Sequence, residues 1–468
     1  MFQAGIARRE ITPFWGVELT GWGYYIERRW QRIHDPLYAT ALVVDDGEQS
    51  AVLLTLDLML IDEWFTRRTR ELITAATGIP SSAIMLTCSH SHNAPAAGGL
   101  RGVGECDPFY EEWASKQAVT AAILAWQQRQ AALIKSGGVD VPGISFNRTR
   151  PGGLVDPRLT LLCILREENE MPLAVVANYG AHPTLTTELR SWDVSRDIPG
   201  LVCDGLEAAY PGAIAMYVQG ACGDCNFLRE YIHLERYHEP ADRIVQATIE
   251  HLGSFDEMQA WASQGNGGGK FPKVFARPVV RSAQLTAELP TRRWTREEIE
   301  VDRREAQRRL EADDISNWRE TIGRSMTNRP DDMVRRHGGD ERKAVRAMCH
   351  FHLEWTEQML QDFETREEVL RTEVQALRIG ELTIVANSSE FFSPFALGIR
   401  QEAESPFSQI MFACYANGRI GYLPDAHDIA AKSYAGYQSP KYCNQFPFIP
   451  ESGEAMCDAM LEVNRRVS

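Results

Sequence analysis

The pattern that most restricts the fold of this chain is a series of apolar, β-branched runs, each breaking off into polar residues. ATALVVDD, SAVLLTLDLML, SAIMLTC, LTLLCIL, PLAVVANYG and AIAMYVQG read as buried strands in the first half of the sequence. Helical patterns fall between several of them, at Glu63 to Ala76, at about Asp107 to Gln130 and at Ile198 to Tyr210. Runs of this kind, bounded by Gly, Pro and Asp, predict an α/β fold, with a layered α+β arrangement as the alternative. The expected architecture is a mixed sheet core with flanking helices.

After residue 254 the pattern changes. Gly265 to Lys270 (GNGGGK) reads as a flexible loop, and Pro272, Pro278 and Pro290 interrupt the residues around it. From Thr291 to about Arg371 the chain is highly charged and helical in pattern, as in REEIEVDRREAQRRLEADD. That charge density suits solvent and predicts a helical insertion outside the main sheet. Strand-like runs return at VQALRIG, ELTIVAN and QIMFACYA. One domain over residues 1–468, with the insertion at about 291–371, is the expected organisation.

The 468 residues carry a formal net charge of −15. No basic face easily dominates such a balance, which argues against nucleic acid and anionic membrane surfaces as partners. No apolar run approaches the roughly 20 residues of a membrane span. The opening MFQAGIARREITPFWG has no basic start followed by an apolar stretch. The expected location is therefore cytoplasmic, with the ten scattered cysteines reduced.

The polar clusters beyond the runs carry the chemistry. SAIMLTC leads into Ser89-His90-Ser91-His92, PLAVVANYG into Ala181-His182-Pro183-Thr184, and AIAMYVQG into Cys222-Gly223-Asp224-Cys225-Asn226. ELTIVAN leads into Ser388-Ser389-Glu390, and QIMFACYANG toward Tyr422. In sheet enzymes ligands bind beyond strand ends, where a rigid sheet fixes the projecting side chains. Residues two apart on an extended chain point the same way, so both imidazoles of His90-Ser91-His92 can face one site. Neutral imidazoles with a carboxylate suit zinc and leave a position open for water. Spacing alone does not name Glu390 or Tyr422 as partners. Cys222 and Cys225 form a lone C-x-x-C, read as structural. His350 and His352 lie two apart on a helical stretch and read as surface or packing residues. Asp197 either caps a helix or orients His182. Trp22, Tyr24, Tyr25 and Trp30 are either core or an aromatic wall for substrate.

Taken together, these segments resemble the catalytic domain of the neutral, non-lysosomal ceramidases. Ala4-Gly5-Ile6-Ala7 through Ile11-Thr12-Pro13 is similar to the family's first strand and turn. His34-Asp35-Pro36-Leu37-Tyr38-Ala39 matches the next segment, and Ser89 to Pro95 looks like the family's Thr-His-Thr-His-Ser-Gly-Pro motif. Asn178 to His182, the segment around Glu390, and Asn417 to Tyr422 followed by Tyr434-Ala435-Gly436 look like its other ligand regions.

The resemblance implies zinc held by His90, His182, Glu390 and Tyr422. It gives His92 a substrate-side role at the scissile carbonyl and places Arg148 near the substrate. It implies a zinc-dependent hydrolase that activates water to cleave an amide (N-acyl) bond of a small-molecule substrate. A carbohydrate-directed hydrolase on the same scaffold and a non-catalytic metal-containing binding protein are the alternatives. One departure stands out. Where the family's ceramide hydrolases carry Gly-Asp-x-Ser-Pro, this chain has Gly223-Asp224-Cys225-Asn226-Phe227. Asn226 thus replaces the reaction-centre serine, and the expected substrate is smaller and more polar than ceramide. The expectation is a bacterial-type relative limited to the catalytic domain.

Overall fold

The computed structural model describes residues 1–263, 278–323, 330–403 and 409–468. The Gly265 to Lys270 loop lies outside the described residues.

Eight strands form the main sheet: β1 (Gln3–Glu10), β2 (Tyr38–Asp45), β3 (Ser50–Leu56), β4 (Ile84–Cys88), β5 (Gln130–Asp140), β6 (Arg158–Arg166), β7 (Pro172–Tyr179) and β8 (Ile214–Gln219). Their order across the sheet is β8-β7-β6-β5-β1-β2-β3-β4. The sheet is mixed. Only the outermost pairs, β3 with β4 and β7 with β8, run parallel. Each parallel pair needs a crossover, and α1 (Glu63–Thr77) and α3 (Asp197–Ala209) lie in those crossovers. Asp62 caps α1 by accepting from the Phe65 N–H, and Gly78 ends it in the left-handed region. With α2 (Pro108–Gln127) and α4 (Glu239–Leu252) these helices flank the sheet.

A second sheet has the order β9-β10-β11-β12, from β9 (Val280–Pro290), β10 (Val369–Ile379), β11 (Leu382–Asn387) and β12 (Gln409–Ala413). The chain leaving β12 joins the two outer edges of the main sheet. The Cys414 N–H donates to the Gln219 carbonyl at the end of β8, and the Cys88 N–H at the end of β4 donates to the Tyr415 carbonyl. The carboxyl ends of both parallel pairs therefore meet at one place, and this convergence creates the site.

Two strands depart from the sequence reading. β5 lies where no run was read. β9 occupies a stretch expected to be broken by prolines, which instead sit at or beyond its ends. β9 is an edge strand with few buried side chains, so it has no continuous apolar run to betray it.

The insertion is helical as expected, with α5 (Arg296–Ala312), α6 (Pro330–Arg336) and α7 (Glu341–Gln361). It is more than a solvated appendage. Trp294, Trp318, Phe351 and Trp355 are buried in a hydrophobic cluster of its own, which also takes in Tyr24 and Tyr442 from the main body. The charged residues hold the outer faces while the tryptophans seal the helices to the main body. The C-terminal α8 (Pro450–Val467) covers the second sheet.

Candidate metal centre and substrate pocket

Three imidazoles converge beyond the carboxyl ends of the strands. His90 and His92 follow β4, and His182 follows β7. Each ring is held by its Nδ1 against a backbone carbonyl: His90 on Met59 at 2.9 Å, His92 on Gly21 at 2.7 Å and His182 on Cys222 at 2.7 Å. A carbonyl only accepts, so every Nδ1 carries the proton and every Nε2 presents a lone pair. These Nε2 atoms lie close together, with His90 3.0 Å from His182 and 3.2 Å from His92. Three lone pairs facing one another have no proton to share, and a bound cation answers that arrangement.

Glu390 and Tyr422 come from a short parallel ladder, Ser389–Phe391 with Gly421–Leu423, in which they are direct register partners. The Glu390 Oε2 lies 3.3 Å from His182 Nε2 and 3.5 Å from His90 Nε2. The Tyr422 hydroxyl is 3.5 Å from His182 Nε2 and accepts from Arg148 Nη2 at 2.7 Å. Arg148 also donates to the Gly223 carbonyl at 2.9 Å. All the residues expected at the site therefore meet. His92 reaches the convergence point as well, although the resemblance gave it only a substrate-side role. His90 and His182 are fully enclosed, whereas His92 keeps a partly exposed edge.

The electrostatics suit a cation. Burial, aided by the Arg148 charge, pushes His182 down to about 3, so it is neutral near pH 7. Burial and the neighbouring His90 and His182 push His92 well below its ordinary range. For Glu390, burial opposes ionisation, but its position against the His182 and His90 rings outweighs it and keeps the carboxyl far below the usual carboxylate range. Neutral imidazoles beside an ionised carboxylate form a hard/borderline donor set that fits zinc.

The supporting structure is close-packed. His90 sits at φ 63°, an uncommon region for a residue with a side chain, and stacks on Tyr415 with centroids 3.8 Å apart. Gly21 sits at φ 108°, and a Cβ there would lie 2.6 Å from the His92 Cβ. A Cβ on Gly223 would lie 2.3 Å from the Glu390 carbonyl, so that glycine lets two loops touch. Asp224 ties those loops together, accepting from Asn147 at 2.9 Å and from the Ser393 N–H and hydroxyl at 2.8 Å. Cys222 is structural, with its Sγ 2.9 Å from the Tyr415 hydroxyl, and all ten cysteines are free. Asp197 does not touch the site histidines. It accepts from the N–H groups of Thr186 and Ile198 and serves the start of α3. His352 is buried against Asp302 inside the insertion, 3.2 Å away.

A cavity of about 270 Å³ opens beside the centre, walled by Trp22, His92, Arg148, Asn226, Tyr422 and Tyr434, among others. Asp332 and Arg336 of α6 complete it. Asn226 pairs with His182 through a parallel bridge. Its Oδ1 is buried without a hydrogen-bond partner among the described residues. The early aromatics divide: Trp22 lines the pocket, Tyr24 joins the insertion's core, and Trp30 packs on Trp15. The contribution of α6 was invisible in the sequence, because its charged residues there are indistinguishable from solvated ones.

No protein-family model matches the sequence, and no curated protein matches it. Solved structures do. The chain superposes on neutral ceramidase from Pseudomonas aeruginosa with a TM-score of 0.67 at 17% identity, covering 100% of this chain and 75% of that one. A ceramidase complexed with C2 gives a TM-score of 0.68 at 16% identity, covering 100% and 76%. The protein has a neutral-ceramidase-like fold.

Proposed function

We propose that the protein is a zinc-dependent hydrolase that cleaves the amide bond of a small, polar N-acyl compound. The observation that carries this reading is the set of three Nε2 lone pairs, each fixed by an Nδ1–H to a carbonyl, meeting an ionised Glu390 in a ceramidase-like fold. His90, His182, Glu390 and Tyr422 would hold the ion. When bound, zinc lowers the pKa of a water to about 7 and polarises a carbonyl oxygen.

The chain's own groups divide the remaining work. His92 is the imidazole with an edge toward the pocket, where it can face the scissile carbonyl. Arg148, held by Gly223 and Tyr422, places a fixed positive charge where an oxyanion develops, and needs no reorganisation to do so. Asn226 has an unpaired acceptor, Oδ1, which suits the N–H of an amide substrate. An asparagine cannot supply an alkoxide, so attack by a side-chain hydroxyl at this position is not available to the chain. Trp22 and Tyr434 wall the cavity against bulk water.

The test uses metal-stripped protein reloaded with zinc and a panel of short N-acyl amides. Turnover of at least one amide, lost on chelation and regained with zinc, is expected. Zinc uptake without turnover of any of them would leave a binding protein rather than an enzyme.

A further inference from the structure

The pocket's charge runs against that of the whole molecule. The protein carries −15 overall, yet three guanidinium groups, Arg148, Arg229 and Arg336, line this cavity. Two carboxylates line it as well, Glu188 and Asp332. Both are already engaged by Arg335, at 2.8 and 3.2 Å. Behind the wall lies a fourth cation. Arg28 is 1% exposed and donates to the carbonyls of Ser191, Thr20 and His92. No carboxylate pairs with it among the described residues. The Arg28 and Arg336 guanidinium groups both lie over the Trp22 ring, at 4.1 and 4.6 Å from its centroid. Burial pushes Arg28 below its ordinary range, and the charge of Arg336 pushes it further.

The hydrogen-bonding groups repeat the message. Trp22 is 4% exposed, and its Nε1–H, a donor only, is buried without a partner among the described residues. On the Trp22 and Arg336 side the wall thus offers donors and positive charge. The Asn226 Oδ1 offers an unpaired acceptor. An amide whose N–H meets Asn226 and whose neighbouring group is an anion would satisfy both.

From this we infer that the substrate bears an anionic group, a carboxylate or phosphate, seated against Trp22, Arg229 and Arg336. The inference rests on the amide-hydrolase reading and narrows it to N-acyl compounds with an acidic amine half, of the N-acyl amino acid type. Water adds across the amide C–N bond, giving the free acid from the acyl half and the amine of the anionic half, with no other reactant. The surplus positive charge also draws anions toward the cavity in low salt.

The experiment compares N-acetylglycine, N-acetylaminomethylphosphonate and the neutral N-acetylglycinamide. Binding to the metal-free protein is read by calorimetry, and hydrolysis is read with zinc-loaded protein. At least one anionic probe should bind about tenfold or more tightly than the neutral one, and the preference should shrink as salt is raised. Which anionic probe wins identifies carboxylate or phosphate. Arg336→Met and Arg229→Met should each cut the anionic-over-neutral preference severalfold, while circular dichroism verifies their folding. Equal or weaker binding of both anionic probes, or no measurable binding of any probe, overturns the inference. Zinc-dependent hydrolysis of N-acetylglycinamide without anionic preference overturns it while leaving the hydrolase reading intact. Preferred binding of an anionic probe with no hydrolysis of any probe keeps the anion site and removes the hydrolase reading.

Discussion

At the scale of single residues, the site depends on how each imidazole is pinned. Because Met59 and Cys222 fix the Nδ1 protons of His90 and His182, their Nε2 atoms are ready for an ion before it arrives, and Gly21 holds the His92 ring beside them in the same way. Loss of an orienting partner alone typically costs 10–100-fold in metal affinity, and loss of a ligand costs more. His90→Ala and His182→Ala should therefore each lower zinc affinity more than about tenfold, read by elemental analysis after dialysis. Full zinc content in both variants would sink the assigned site. Asp57 gives a second prediction at this scale, away from the metal. Burial lifts its carboxyl to about 6, against the pull of Arg196 and the Tyr38 N–H. Between about 3.8 and about 6 the folded chain keeps a proton that the unfolded chain releases, so stability falls as pH rises through that window. Asp57→Asn removes this loss. Its melting temperature relative to the parent should improve by a few degrees between about pH 4 and about pH 7. A pH-independent difference would contradict the assignment. Much of this scale was legible: His-x-His after a strand already signals a shared site. The carbonyls that orient the rings were not, because backbone groups carry no sequence signature.

At the scale of elements, the insertion is bound to the main body by a buried ion pair. Lys441 is fully buried and donates to Asp302 of α5 at 2.7 Å. It belongs to the same turn-and-helix segment as Tyr434 and Tyr442, which line the candidate metal centre. Its Nζ also lies over the rings of Tyr437, Trp355 and Trp294. Removing one partner of such a pair leaves an uncompensated charge and costs about 3–5 kcal/mol. Lys441→Met should destabilise the protein by that order in denaturant melts, and adding Asp302→Leu should recover part of the loss. If the single variant melts like the parent, the pair does not hold the insertion. Sequence reasoning recognised the helices from their charge and period. It could not see that their tryptophans form a core against the main body, since a helix's partner is not written in its own period.

At the scale of the whole molecule, the cavity limits what can bind. At about 270 Å³ it falls just below the roughly 300–1,000 Å³ of pockets that enclose drug-sized ligands. Its guanidinium and amide groups would be stripped of water by an alkyl chain without any compensating partner, at about 1–3 kcal/mol for each neutral group and more for a charge. Long-chain ceramide should accordingly be hydrolysed at least about a hundredfold less efficiently, in kcat/KM, than the best short polar amide. Comparable efficiency for the two would show that Asn226 and the polar wall are no obstacle. The alternating strands and helices, the helical nature of the insertion and the polar clusters at strand ends are all legible in the residues alone, because each is written in local period and residue type. The joining of the two edges of the main sheet through Cys414 and Tyr415, and the place of α6 in the pocket wall, emerge only in the folded chain. Those contacts link residues far apart in the chain, and their energy comes from packing and charge compensation that exist only once the distant segments meet.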